Sequence, residues 1–281
     1  MQKRRRLRAQ IELGYAGLAL LRSWPFEDRS DLIREMAGAL ATAPWESQLV
    51  EMDEHDIHGG YSRWAETYDT RPNPLISLEE PAVRRLIESL PSASGRALDV
   101  ACGTGRLTSH LLACGHQVLG VDTSEKMLRR CQTRFPQVQL SRADLMHLPL
   151  ADGVIDVVVC GLALTHIENL GPPVVELARV VRRGGRVLIS DIHPIAVATG
   201  AHAFFHSLDG TRGVMRNHVH WHGDYIDAFR LAGLRIRSCI EPLVDQGVVD
   251  MLAPSLNVRN WVRDAFLGLP MALVWDLERL Q

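Results

Sequence analysis

The segment ALDVACGTGRLTSHLL, residues 97–112, constrains this chain more than any other stretch. A short apolar run that reads as a buried strand passes through a turn carrying Gly103 and Gly105 into an amphipathic helical pattern. Glycine admits backbone conformations and close approaches that a Cβ forbids, and a helix N-terminus presents unpaired N–H groups. Strand, glycine turn and helix in that order suit a nucleotide-type cofactor. A Gly-x-Gly turn alone is weak evidence, because any tight strand-to-helix turn can use glycine.

The surrounding pattern strengthens the reading. From Arg96 onward, short apolar runs alternate with helical periods, the signature of a parallel sheet with crossover helices. Strands are expected at 97–101, 117–121, 138–140, 155–160 and 186–191. A polar, histidine-rich insert occupies 195–223. Helix 225–232, strand 234–240 and a last strand near 271–275 follow.

Ahead of this core, residues 1–45 read as two helices. Leu7, Ile11, Gly14, Leu18 and Leu21 would form one apolar stripe, and Leu32, Ile33, Met36, Ala37 and Leu40 another. The basic start followed by an apolar stretch superficially resembles a secretory signal, but the periodicity favours a packed helix. An acidic, histidine-bearing connector runs over 51–60, then the aromatic stretch YSRWAETYD, and Pro72 and Pro74 break the chain before a helix at 78–90. The organisation expected is an N-terminal extension and cap segment (1–75), a cofactor-binding core (76–194), a lid or substrate insert (195–223) and the C-terminal part of the core sheet (224–281).

Composition excludes several classes. The chain carries 31 basic and 33 acidic residues, so nothing in its balance calls for a polyanion partner. Five cysteines without paired CxxC spacing fit a reducing compartment, and a cytoplasmic location is expected. No stretch reaches the ~20 apolar residues of a membrane span.

Two further features narrow the cofactor. A dinucleotide fingerprint wants a third glycine where this chain has Thr108. Asp122 ends the next strand, where a carboxylate can accept both ribose hydroxyls of an adenosine. After the third strand comes Ala143-Asp144-Leu145; Asp144 can accept from the adenine amine while Leu145 and Met127 sandwich the ring.

On these residues the run from Ala97 to Asp191 resembles the class I S-adenosylmethionine (SAM)-dependent methyltransferases. DVACGTG stands as the cofactor loop, GVDTSEKML as the ribose-acid segment, ADLMHLPL as the adenine segment and VVRRGGRVLISD as the approach to strand five. Within that class the chain looks closest to the small-molecule branch of ubiquinone, menaquinone and natural-product methyltransferases. The resemblance implies a Rossmann-like, seven-stranded, mostly parallel sheet with helices on both faces. It implies that Asp99 orients the loop and the methionine amine, that Gly103 and Gly105 line the methionine moiety, and that Tyr68 closes over it. It extends the SAM site to Ala101, Thr104, Thr123 and Cys160. Ala101 departs from the pattern, since many members place glycine there, and the loop is expected to survive the change.

Methyl transfer from a sulfonium is an in-line displacement that mainly needs alignment, plus a base when the nucleophile must lose a proton. His166, past the end of strand four, is the first candidate base; a packing or capping histidine is its bland alternative. His193, after strand five, and His220 are expected to support it. His218, His220 and His222 would share one face of an extended strand, a spacing that can bind zinc, but no further ligand cluster accompanies them and no metal is assigned. Arg212 and Arg216 could meet an anionic substrate, and Trp64, Trp221 and Trp261 could wall an apolar pocket. The function expected is O- or C-methylation of a small, apolar or aromatic metabolite, without nucleic acid. The alternatives are a SAM-binding regulatory or assembly protein and, with less support, an RNA or protein methyltransferase. The N-terminal helices are a candidate surface for pairing with a second copy.

Overall fold

A computed structural model describes residues 2–23, 26–42, 49–90, 95–252 and 256–280. The chain opens with strand β1 (Gln2–Leu7), then helices α1 (Arg8–Ser23) and α2 (Ser30–Thr42). Strand β2 (Leu49–His55), helix α3 (Ile57–Trp64) and helix α4 (Pro74–Glu88) follow. Two expectations are corrected here. The basic start is a strand rather than part of a helix, and the acidic segment is its antiparallel partner rather than a connector. The register sets Lys3 opposite Asp53, so residues of opposite charge stand across the pair.

The apolar stripes are also redistributed. On α1 the buried residues are Ala16 and Ala19, which pack against α11 (Leu256–Phe266), whereas Leu21 is exposed. On α2 Leu32 is buried and Ile33 exposed. The side chains of Leu7 and Leu40 lie outside the described residues. Helix α4 begins earlier than expected because Asn73 caps it: its side-chain oxygen accepts the Leu75 N–H at 3.0 Å, and Pro74 occupies the first turn, where a missing N–H costs nothing.

The central sheet contains β3 (Arg96–Val100), β4 (Gln117–Asp122), β5 (Gln139–Arg142), β6 (Ile155–Gly161) and β7 (Val181–Ile192). Two later strands, β10 (Leu234–Ile240) and β11 (Ala272–Arg279), complete it. The order is β10-β11-β7-β6-β3-β4-β5, with β11 antiparallel to both its neighbours and the other pairings parallel. This is the Rossmann-like, seven-stranded, mostly parallel sheet that the sequence implied.

Period-2 alternation divides the strands between two cores. Leu98, Val100, Val158 and Cys160 face α7 (Gly171–Val180) and α9 (His222–Leu231), while Ala97, Val157 and Val159 face α4 and α5 (Arg106–Ala113). These strand residues are buried, and burying each valine or leucine side chain is worth roughly 1.5–3 kcal/mol. Burial on both faces is why β3 and β6 read as continuous apolar runs. The strand order reverses at β3, between β4 and β6, and the crevice beyond the carboxyl ends of these strands is where open α/β sheets bind ligands.

The insert after β7 is ordered. It forms α8 (Pro194–Ala198) and the hairpin β8 (Ala203–His206) and β9 (Arg212–Met215). Strand β9 pairs in parallel with β2, giving a second sheet, β1-β2-β9-β8, that joins the N-terminal segment to the insert. Among the described residues no helix is long and apolar enough to cross a membrane.

Candidate active site

The glycine turn after β3 holds a backbone that only small residues tolerate. Ala101, Gly103 and Gly105 all have positive φ, at 55°, 54° and 89°. A Cβ on Gly103 would meet nothing within 4 Å, so this turn faces open space, whereas one on Gly105 would lie 2.8 Å from Cys131 Sγ and from the Phe135 ring. Gly105 is therefore required for packing against α6 (Glu125–Arg134). Side-chain hydrogen bonds fasten the loop: Thr104 Oγ1 donates to Asp69 at 2.8 Å, and Arg134 of α6 donates to the Thr104 carbonyl at 2.9 Å.

Asp122 ends β4 beside this loop. Its two oxygens accept the N–H groups of Gly103 at 2.8 Å and Ser124 at 2.7 Å, which fixes the carboxylate and leaves lone pairs for two hydroxyls. Burial raises its pKa, opposed by those N–H groups. Asp99 is buried beneath the turn, accepts Thr108 Oγ1 at 2.6 Å, and is raised by desolvation to about 6. Of the adenine-side residues, Met127 is buried on α6, Ala143 and Leu145 are half-buried against the main core, and Asp144 is exposed and accepts the Met146 N–H. The carbonyl of Thr123, next to Asp122, accepts from Arg142.

A small cleft at the end of β3 is lined by Tyr68, Asp99, Gly103, Thr104, Arg106 and Gly161, among others. Arg106 is held against the fully buried Glu79, Nη1 to Oε2 at 2.8 Å, and Ser190 also donates to Glu79. A carboxylate for an ammonium (Asp99) and a guanidinium for a carboxylate (Arg106) thus border one cleft. These residues fit the zwitterionic end of SAM, and Asp122 fits its ribose. Cys160, expected at the cofactor, is instead turned into the apolar core, where burial raises its thiol pKa; its neighbour Gly161 lines the cleft.

Beside the cleft lies a cavity of ≈ 940 Å³. Its walls come from α1, the α3 segment, the hairpin insert and α11, including Ile11, Leu18, Trp64, Phe204, Phe205 and Phe266. The α1 positions Ile11, Gly14 and Leu18, expected as a packed stripe, face this space. Trp64 is stacked between Tyr61 and Phe205, with centroids 5.7 Å apart in both pairs and planes 18° apart. Thr67 Oγ1 donates to the His206 carbonyl at 2.5 Å and ties the α3 segment to the hairpin. Tyr68 lines both cavity and cleft.

His166 lines the cavity from a 3₁₀ turn, Leu164–His166, just past β6. Its Nδ1 lies 3.2 Å from the Arg216 carbonyl, so the ring carries its proton there, and Nε2 faces the Tyr61 hydroxyl at 2.9 Å as an acceptor. Desolvation lowers its pKa to about 4, and burial lifts that of Tyr61 well above the phenol range. The preceding Leu162 has φ 56°, a strained conformation for a branched side chain, and lines the same cavity.

The other predicted histidines are placed elsewhere. His193 is buried at the N-cap of α8, where Nδ1 accepts the Ile195 N–H at 3.2 Å and Nε2 meets Glu241 at 3.0 Å. His220 is buried with Nε2 2.7 Å from the Ile167 carbonyl. Neither lines the cavity or the cleft. The 218–222 segment is irregular and α9 starts at His222, so the triplet shares no strand face: His218 stacks on His220, and His222 turns to Glu241. Arg216 pairs with Glu54, and neither it nor Arg212 lines the cavity. Trp64 is a wall residue, but Trp221 is exposed and Trp261 is buried, donating to Glu35.

Comparison with known proteins agrees with this geometry. Residues 98–189 match the model of a methyltransferase domain. Residues 98–189 form a methyltransferase domain. It is 30% identical over 144 residues to a malonyl-[acyl-carrier protein] O-methyltransferase of Yersinia pestis, covering 51% of this chain and 52% of that protein. A demethylmenaquinone methyltransferase of Lactobacillus johnsonii is 33% identical over 149 residues, covering 49% and 61%. The chain thus matches 52% to 61% of the length of these two relatives. The crystal structure of a SAM-dependent methyltransferase from Mesorhizobium loti superposes with a TM-score of 0.56 at 24% identity, over 72% of this chain and 98% of that one.

Two residues at the cleft escaped the sequence reading: Glu79 and, as a site residue, Arg106. Arg106 directly follows the glycine turn, so its position was a usable signal. Glu79 gives none, because a glutamate in a helical pattern reads as solvated unless its buried partner is known.

Proposed function

We propose that this protein transfers a methyl group from SAM to a small, largely apolar metabolite seated in the aromatic cavity. The observation that carries the reading is that consecutive residues at the end of β6 divide the two spaces: Gly161 lines the cleft and Leu162 the cavity, with Tyr68 shared by both. A methyl donor in the cleft would then face an acceptor in the cavity.

The bound donor would supply an already activated leaving group, leaving the protein to align the acceptor and exclude water. The stretch 61–68 and the insert over 195–223 cover the cavity together, through the Trp64–Phe205 stack and the Thr67–His206 bond. For an oxygen or acidic carbon acceptor, the Tyr61 oxygen can accept the leaving proton while its own hydroxyl proton passes to Nε2 of His166. The base is therefore a pair, in which His166 acts through Tyr61.

Its test is turnover of SAM to S-adenosylhomocysteine (SAH) with metabolite extracts. A product heavier by one CH₂ unit, formed in proportion to SAH, is expected. Tight SAH binding without turnover in any extract would instead favour a cofactor-binding protein.

A further inference from the structure

Resting on that reading, we propose that the acceptor carries a carboxylate, which Arg71 pairs at the cavity wall. The cavity is apolar and aromatic over most of its lining. Among the described lining residues Arg71 bears the only permanent charge, and no aspartate, glutamate or lysine lines the space. Arg71 makes no hydrogen bond or ion pair to any described residue. The nearest carboxylate along the chain, Asp69, is committed to Thr104, Arg130 and Arg134.

The rest of this wall is also electropositive. Burial, and then the charges of Arg71 and of Arg212, which lies outside the lining, lower the pKa of His206 on this wall. Pro74 and Leu75 at the N-terminus of α4 line the same space, and the helix dipole points its positive end there. Arg71 is exposed where it borders the space, and among the described lining residues no carboxylate faces it, so this wall disfavours cationic acceptors and gains from an anion.

A single guanidinium matches a single carboxylate as a two-pronged pair, whereas a dianionic phosphate would carry a second charge that no other described lining residue answers. Pairing also withdraws electron density from the carboxylate and makes it a poor nucleophile. The carboxylate is thus an anchor, and another atom of the acceptor takes the methyl group near Leu162 and His166.

The test uses the full chain saturated with SAH and three probes of equal chain length: dodecanoate, dodecan-1-ol and dodecylammonium. Binding is followed by calorimetry and by quenching of tryptophan fluorescence. Dodecanoate is expected to bind at least about tenfold tighter than the alcohol, with the ammonium weakest. Arg71→Met should bring dodecanoate to the level of the alcohol and leave the affinity for SAH unchanged, and Arg71→Lys should restore part of the preference. Equal binding of acid and alcohol by the unmodified protein would overturn the proposal. So would an Arg71→Met variant that loses SAH affinity while keeping the acid preference, because Arg71 would then serve the cofactor's own carboxylate. Failure of the unmodified protein to bind SAH strikes the methyltransferase reading itself and is distinguishable from both.

Discussion

The Tyr61 hydroxyl lies 2.9 Å from Nε2 of His166, with both groups on the wall of the cavity and the imidazole lowered to about 4. Nε2 is occupied by a phenol, so an acceptor reaches the imidazole only through the Tyr61 oxygen. Tyr61→Phe and His166→Asn should each lower turnover by about 10²-fold or more, with SAH affinity nearly unchanged. Because His166 stays neutral down to about pH 4, turnover in the unmodified protein should be flat on its account from pH 5 to 8, with an acidic limb near 4 that His166→Asn removes. A limb near the ordinary histidine pKa of about 6.5, lost in the same variant, would contradict the buried pair.

Asp99 makes cofactor affinity depend on pH. Its carboxyl is raised to about 6 in the free protein, and an ammonium in the cleft favours the ionised form, lowering that value on binding. Affinity for SAH should therefore be full above pH 7 and fall as the pH drops through about 6, by up to about tenfold per pH unit. Asp99→Asn should bind more weakly at pH 7.5 and show no such dependence. Calorimetry over pH 5 to 8 reads both, and a parallel pH dependence in the variant would assign the effect to another group.

The glycine turn predicts opposite signs at two neighbouring positions. Ala101 holds φ 55°, a conformation that costs a non-glycine residue roughly 1–2 kcal/mol, partly offset by glycine's larger unfolded-state entropy. Ala101→Gly should therefore stabilise the fold by about 0.5–1 kcal/mol. Gly105→Ala should destabilise by roughly 1–3 kcal/mol, since its Cβ would meet Cys131 and Phe135 at φ 89°. Urea unfolding measures both, and a stable Gly105→Ala variant would show that α6 yields easily.

The central sheet was legible because its strands are buried on both faces or alternate cleanly, so local pattern and tertiary environment agree. Strand 234–240 matches to the residue, and β3, β4 and β6 end within one residue of expectation. The strand pair β1 and β2 was not legible. A basic hexamer and an acidic heptamer become strands only when set opposite each other across more than forty residues, a relation no local window contains. Histidine spacing misled for a related reason: alternation at 218, 220 and 222 implies a shared face only in a strand, and the backbone there is irregular before it turns into α9. That Asp99 and Gly103 border one cleft and that Asp122 holds the same turn could be anticipated because the glycine turn fixes their neighbourhood. The place of Arg71 on the cavity wall could not be, since it depends on which distant elements close that space.

Calorimetry of SAH binding to the unmodified protein and to Asp122→Asn tests whether the cleft beyond β3 and β4 holds SAM. The unmodified protein should bind SAH at one site. The variant keeps the volume of Asp122 but loses the charge that would accept the ribose hydroxyls, so its affinity should fall by roughly 1.5–3 kcal/mol; its NH2 also meets one of the two N–H groups that Asp122 accepts, so thermal unfolding should shift down modestly and affinities are compared where both proteins are folded. Equal affinity in the two proteins, or no binding in the unmodified one, would contradict the claim.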